Sequence, residues 1–220
     1  MYLAVFCAIR GNFPALQAIL EAVDERGIEM VFNAGNCVGR YPWPNEVIQL
    51  LRAHKLPTVQ GADDRAVARF LRSSDRLMRK IPENARRGLE WTHAHTASAN
   101  LEWLGTLPRE QRCTLENIDI LLCPGAPTGT KERLDGDSAP EVFERQRESA
   151  RARLILCGGA ETPFARQVQD TLFVCPGAAD GVDGARYAIV DTESEPWSAA
   201  FHVAPYDAAL VARAAGDAGL

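Results

Sequence analysis

The first dozen residues, MYLAVFCAIRGN, leave the chain few folds to choose from. An apolar run of Leu3, Ala4, Val5, Phe6 and Cys7 stops at Ala8, Ile9 and Arg10. The pair Gly11-Asn12 then leads into a helical pattern that opens at Phe13-Pro14. A strand apolar at every position is buried on both faces. A buried strand, a tight loop and a helix start form the unit in which α/β proteins carry chemistry at a strand's C-terminal end. The pattern continues. Residues 14–26 place apolar side chains at helical spacing, with Gly27 as a stop, and residues 28–34 read as a second strand closed by Gly35-Asn36-Cys37-Val38-Gly39. Tyr41-Pro42-Trp43-Pro44 starts a helix over about 45–54, and 56–59 reads as a short third strand. Strand, helix, strand, helix, strand at this spacing predicts an α/β fold with parallel pairing.

Residues 65 to about 104 read as two helices broken near Pro82. Arg65, Arg69, Arg72, Arg76, Arg79, Lys80, Arg86 and Arg87 make the first half of this region locally basic. Acids and apolar residues interrupt that charge, so a solvated helix face outweighs an anion-binding one. His93 and His95, two apart, point to different sides of a helix, which argues against a shared metal ion. Beyond this the period changes. Residues 113–115 and 118–122 predict a hairpin turning at Glu116-Asn117, and a charged, flexible stretch over 128–137 leads to a helix over 140–150. Further strands are expected at 154–157, 171–175, 186–191 and 197–203, with a final helix after Pro205-Tyr206-Asp207. No repeat or Pro/Ser linker divides the chain, so one domain over 1–220 is expected.

A net charge of −5 argues against a nucleic-acid partner. No apolar window reaches membrane length, and no cationic region precedes the short run at 3–7, so the expectation is a cytoplasmic protein with no membrane contact. The six cysteines, Cys7, Cys37, Cys113, Cys123, Cys157 and Cys175, show no CxxC pair or usual zinc spacing. All but Cys113 stand just before a Gly or Pro-Gly turn, which places them at strand ends along one rim. They are either small core side chains in a reducing compartment or a thiolate metal or redox site.

Six stretches carry a resemblance, in order: CAIRGNFPAL (7–16), GNCVGRYPWPNEV (35–47), GADD (61–64), PGAP (124–127), GGAETPF (158–164) and CPGAAD (175–180). They resemble the SDIHGNLPAL, GDxVGYGPxPNEV, GNHD, HGSP, GHTHxPF and NPGSVG patterns of the calcineurin-like metallophosphoesterases, in particular the short bacterial and archaeal members. The resemblance implies a four-layer α/β/β/α sandwich with two mixed β-sheets. In that family two metal ions share a bridging Asp and activate a water that attacks phosphorus. The resemblance maps one ion's ligands onto Ala8, Arg10, Asn36 and Glu161, and the other's onto Asn36, Ala62, Pro124 and Gly159. The position of the family His that serves the leaving group holds Asp63. None keeps its family residue.

A neutral amide with alanine- and glycine-sized neighbours cannot hold a divalent ion. Arg10 and Glu161 instead predict an ion pair, joined by Asp63, where the metal cluster would stand. The expectation is a pseudo-phosphoesterase with no catalytic residues and no metal, serving in ligand binding, scaffolding or regulation. Its cleft would be lined by Arg10, Asn12, Asn36, Arg40, Asp63, Asp64 and Glu161. Such a cleft would take a phosphorylated small molecule or a protein partner, and a homodimer is compatible with it. The alternative is a divergent phosphoesterase with one divalent ion such as Mg, Ca or Mn on Asn36, Asp63, Asp64 and Glu161, or Zn on the cysteines.

Overall fold

The computed structural model describes residues 1–72, 81–129 and 134–220. The strands are β1 (Tyr2–Phe6), β2 (Met30–Asn33), β3 (Gln111–Leu115), β4 (Ile118–Cys123), β5 (Leu154–Cys157), β6 (Phe164–Val168), β7 (Thr171–Cys175), β8 (Ala185–Asp191) and β9 (Ser198–Ala204). Among the described residues the helices are α1 (Phe13–Asp24), α2 (Pro44–Ala53), α3 (Ala62–Ala68), α4 (Glu83–His95), α5 (Ser98–Thr106), α6 (Pro140–Ala150) and α7 (Ala208–Asp217), with a 3-10 turn at Phe70–Arg72.

Two mixed sheets form. One has the order β2-β1-β8-β9 and the other β3-β4-β5-β7-β6. β1 runs parallel to β2 and antiparallel to β8, while β4, β5 and β7 form the parallel centre of the second sheet. Alternation along each strand sorts its side chains between two cores. Leu3 and Val5 meet Ile120, Leu122, Leu154, Leu156 and Val174 between the sheets. Ala4 and Phe6 turn the other way, onto Leu16, Ile19, Val47 and Leu51 of α1 and α2. Leu121, Ile155 and Phe173 face outward beneath Phe143 of α6. The result is helix, sheet, sheet, helix. Each buried Leu, Ile or Phe in these layers contributes about 1.5–3 kcal/mol, which is why the strands read as continuous apolar runs.

Local chemistry sets the element ends. Asn12 caps α1 by accepting from Ala15 N at 3.1 Å, and Asp207 caps α7 by accepting from Leu210 N at 2.9 Å. Glu116 and Asn117 both take positive φ, the geometry a two-residue hairpin requires, and β3 pairs with β4 as expected.

Two expectations are corrected, and one strand was missed. Residues 56–59 are no strand: they make a single bridge, Asn33 to Thr58, beside β2. Pro57 has no N–H to offer, so the ladder cannot extend. The helical region ending near 104 contains a second break, at Thr96-Ala97. There the Asn45 side chain donates to His95 O at 2.8 Å and accepts from Ala97 N at 2.9 Å, occupying the backbone groups of the break. The edge strand β6 escaped prediction because Ala165, Arg166 and Gln167 are not buried and give no apolar signal. Arg76, Arg79, Lys80 and part of the charged stretch at 128–137 lie outside the described residues. Among the described residues no helix is long and apolar enough to cross a membrane.

Candidate functional site

The loops that leave β1 and β2 are laced together by their backbones. Ala8 N donates to Gly35 O at 2.8 Å, Arg10 N to Asn36 O at 2.9 Å and Gly11 N to Cys37 O at 2.7 Å. This lacing holds Ala8, Arg10 and Asn36 at φ of 57°, 52° and 56°. Left-handed backbone at non-glycine residues costs of order 1–3 kcal/mol each, and it persists where surrounding structure over-determines it. All three stand at positions that the resemblance assigns to metal ligands.

Arg10 fills the centre. Its Nη2 donates to Glu161 Oε1 at 2.9 Å, its Nη1 lies 3.1 Å from both oxygens of Asp180, and its Nε lies 3.7 Å from Asp63 Oδ2. The pair with Glu161, joined by Asp63, is the one expected from sequence. Asp180 was not foreseen, yet it is the most buried partner, with a side chain 5% exposed against 63% for Glu161. Arg40 shares it, donating from Nη1 at 3.2 Å. Burial alone would lower the pKa of Arg10, but Asp180 and Glu161 outweigh it and hold the guanidinium above its usual value. Burial pushes the Asp63 carboxyl up; Arg10 opposes this, while Asp180 and Glu161 add to it. Asp180 did leave a signal. It ends the stretch 175–180 where the family pattern closes on Gly, so an acid stands where that pattern has none.

Asn12 and Asp64 do not line the cleft. Asn12 is fully buried, caps α1 and donates from Nδ2 to Tyr206 Oη at 3.0 Å. Asp64 is also fully buried. Its carboxylate accepts from Gly61 N at 2.8 Å, Asn36 N at 2.9 Å, Cys37 N at 2.7 Å and Val38 N at 3.2 Å, tying the β2 loop to the start of α3. Asn36 Oδ1 in turn accepts from Asp63 N at 3.1 Å.

The altered ligand positions converge. Ala8, Arg10, Asn36, Ala62, Pro124, Gly159 and Glu161 all line one cleft of about 180 Å³, together with Asp63. A larger cleft of about 680 Å³ adjoins it, sharing Arg10 and Asp63 and walled by Arg40, Ala66, Ile81 and Leu89. These residues do not fit the family's two ions. Three carboxylates converge, but a guanidinium sits among them, and Asp64 and Asn36 are already taken up by backbone N–H groups. Among the described residues no group of three His, Cys, Asp or Glu is arranged to hold a metal ion.

The remaining candidates separate. His93 Nδ1 lies 2.9 Å from Val67 O, while His95 stacks on Trp91, so the two imidazoles diverge. Cys7, Cys123, Cys157 and Cys175 gather at the strand ends. Cys37 keeps apart, accepting from Asn33 Nδ2 at 3.2 Å, and half-buried Cys113 sits on β3.

Comparison with known proteins agrees with this geometry. Residues 1–195 match the model of the calcineurin-like phosphoesterase superfamily domain. An uncharacterised protein of Methanocaldococcus jannaschii is 26% identical over 210 residues, which span 86% of this chain and 82% of that one. The crystal structure of a hypothetical protein from Pyrococcus horikoshii superposes with a TM-score of 0.83 at 26% identity, over 96% of this chain and 91% of the other. A metallophosphoesterase from Sphaerobacter thermophilus shares the fold with a TM-score of 0.78 at 21% identity, over 100% and 94% of the two chains.

Proposed function

This chain belongs to the calcineurin-like phosphoesterase superfamily, and we propose that it has given up two-metal hydrolysis and keeps its cleft for recognition. One observation carries the reading: the Arg10 guanidinium lies among Glu161, Asp180 and Asp63 at 2.9, 3.1 and 3.7 Å, within the cradle the family uses for ions. A guanidinium stays charged at every working pH. At 4 Å and an effective dielectric constant near 20, it repels a divalent ion by about 8 kcal/mol. The carboxylates that would offset this are already paired with it. Among the described residues no group of His, Cys, Asp or Glu is arranged to hold an ion that would generate a hydroxide nucleophile, which supports the loss of the hydrolytic step.

Recognition falls to the larger cleft. Its volume, about 680 Å³, is of the size that holds a small organic molecule. Arg10 is committed to three acids, whereas Arg40, with its side chain 62% exposed, spends one N–H group on Asp180 and presents the rest. Ile81 and Leu89 supply an apolar wall. A small molecule with an apolar body and one phosphate or carboxylate group, met by Arg40, fits this arrangement. Asp63 and Glu161 line the paired clefts beside the two arginines, which disfavours a polyphosphate. The test is hydrolysis of p-nitrophenyl phosphate and bis-p-nitrophenyl phosphate with Mn²⁺, Mg²⁺, Fe²⁺ or Zn²⁺ supplied in turn. The expected rate equals that without protein, and turnover above it with any of these ions overturns the proposal.

A further inference from the structure

The cleft makes no use of one edge of the first sheet. That sheet ends in β9, whose seven residues all pair with β8, without a bulge. Beyond that ladder no backbone hydrogen bond joins residues 198–203 to another described segment, so one edge of β9 stands open. An open edge is a template for a further strand, and proteins guard such edges with charge, proline or a covering segment. The other three sheet edges are guarded. β3 carries Arg112 and β6 carries Arg166. Residues 57–59 lie along β2, where Asn33 N donates to Pro57 O at 2.9 Å and Val59 N to Asn33 O at 3.2 Å. β9, reading SAAFHVA, holds no Lys, Arg, Asp, Glu or Pro. Its one titratable side chain, His202, stacks on Tyr187 of β8 at 5.3 Å. On the opposite face, the one that Ala199 shares, Phe201 is 41% exposed and Val203 50%.

We propose that β9 is the interface with a second copy of this chain, the two β9 strands pairing antiparallel so that two four-stranded sheets become one continuous sheet. Two arguments select a second copy. A strand without Lys, Arg, Asp or Glu meets its own copy without like-charge repulsion at the contact, although each chain carries a net charge of −5. Identical strands paired antiparallel are also related by a two-fold axis, which uses both open edges and closes the assembly at two. The register follows from the alternation of side chains. The axis stands normal to the sheet and leaves each side chain on its own face, so a residue opposes only one of the same face. Pairing the whole of β9 then sets Phe201 opposite the partner's Phe201, and Val203 opposite the partner's Ala199. On the other face His202 stands opposite the partner's Ala200. Opposed side chains in such a pair have Cβ atoms about 4.5–5.5 Å apart, so the two exposed phenyl rings cover one another. One strand pair about 24 Å long is a small interface, so the dimer comes apart on dilution.

The test is light scattering of the full-length protein from micromolar to near-millimolar concentration. The expected mass rises from one chain to two and stops there. Phe201→Lys and Phe201→Glu each set two like charges opposite one another in place of the ring pair, and each weakens association by about tenfold or more. Mixed in equal amounts, the two variants place Lys opposite Glu at the axis and associate more tightly than either does alone, which a misfolded variant would not do. Leu71→Lys, at another exposed apolar position, leaves association unchanged. If a charged variant does not fold, amide exchange in the native protein decides. Alternate N–H groups of β9 become more protected as concentration rises, while those of the edge strand β3 do not. A monomer at every concentration, growth beyond two chains, a Phe201→Lys dimer as tight as the native one, a mixture no tighter than its components, or exchange in β9 indifferent to concentration overturns the proposal. None of these readouts depends on whether the cleft hydrolyses a phosphate ester.

Discussion

Replacing Arg10 with Met removes the guanidinium and keeps most of its apolar stem at the same left-handed backbone position, φ 52°. Three carboxylates then face one another. Removing one partner of a fully buried ion pair costs about 3–5 kcal/mol, because the other charge is left uncompensated. Two observations reduce that figure. The Arg10 side chain is 17% exposed, and Asp180 keeps Arg40 at 3.2 Å. Exposed Glu161 returns to water and adds little. The expected loss is about 2–3 kcal/mol, which for a chain of this length lowers Tm by about 5–10 °C. The deficit depends on pH with a definite sign. Burial already raises the Asp63 carboxyl, and without Arg10 it rises further. A folded-state value above the unfolded one contributes stability that is complete below the unfolded value and is lost as pH climbs through the folded one. The deficit of Arg10→Met is therefore largest near neutrality and shrinks toward pH 4. Millimolar Ca²⁺ restores part of it, since three carboxylates then converge with only Arg40 paired to one of them. Thermal melts of both proteins at pH 4 and pH 7, with and without Ca²⁺, read all of this. Equal Tm values at pH 7, or a deficit of the same size at both pH values, would refute the reasoning.

Three further outcomes are expected. Burial pushes the Asp64 carboxyl from 3.8 up to about 6 against the pull of its N–H donors, so its contribution to stability is complete below its ordinary value and lost as pH rises to about 6; a carbon-detected titration should show a midpoint near 6, and a midpoint below 4 would mean that the donors outweigh burial. Gly11→Ala places a Cβ 2.5 Å from Tyr41 O at φ +89°, and urea unfolding should show a loss above about 2 kcal/mol, with a loss under about 0.5 kcal/mol counting against the close approach. Phe173 is fully buried, edge-on to Phe143 at 5.2 Å, and truncation to Ala should cost about 3–5 kcal/mol in the same assay; a cost near 1 kcal/mol would mean that the layer beneath α6 is loosely packed.

What could be read in the sequence was what local signals carry. The run at 3–7 announced a strand buried on both faces, Asn12 and Pro14 announced the start of α1, and Glu116-Asn117 announced the hairpin. The replaced ligands were legible one by one, and Arg10 with Glu161 read as a pair because the family pattern brings those two positions together. Asp180 was not read so, because its contact with Arg10 spans 170 residues, and an acid in place of the pattern's closing Gly does not by itself name its partner. The same holds for Asn45, whose amide meets the break after α4 from another helix. Asp64 looked like a cleft acid because its composition says carboxylate, whereas its surroundings make it a cap. Pro57 was the reverse case: its missing N–H was visible, but the apolar residues beside it argued louder for a strand.

The measurement that bears most directly on the arginine-filled site is calorimetric titration of Mn²⁺ into metal-stripped protein, with bis-p-nitrophenyl phosphate turnover read on the same sample. The expected result is no binding heat beyond dilution and no turnover. Binding at micromolar concentration together with turnover would contradict it, and would mean that Arg10 leaves its three carboxylates to let a metal ion in.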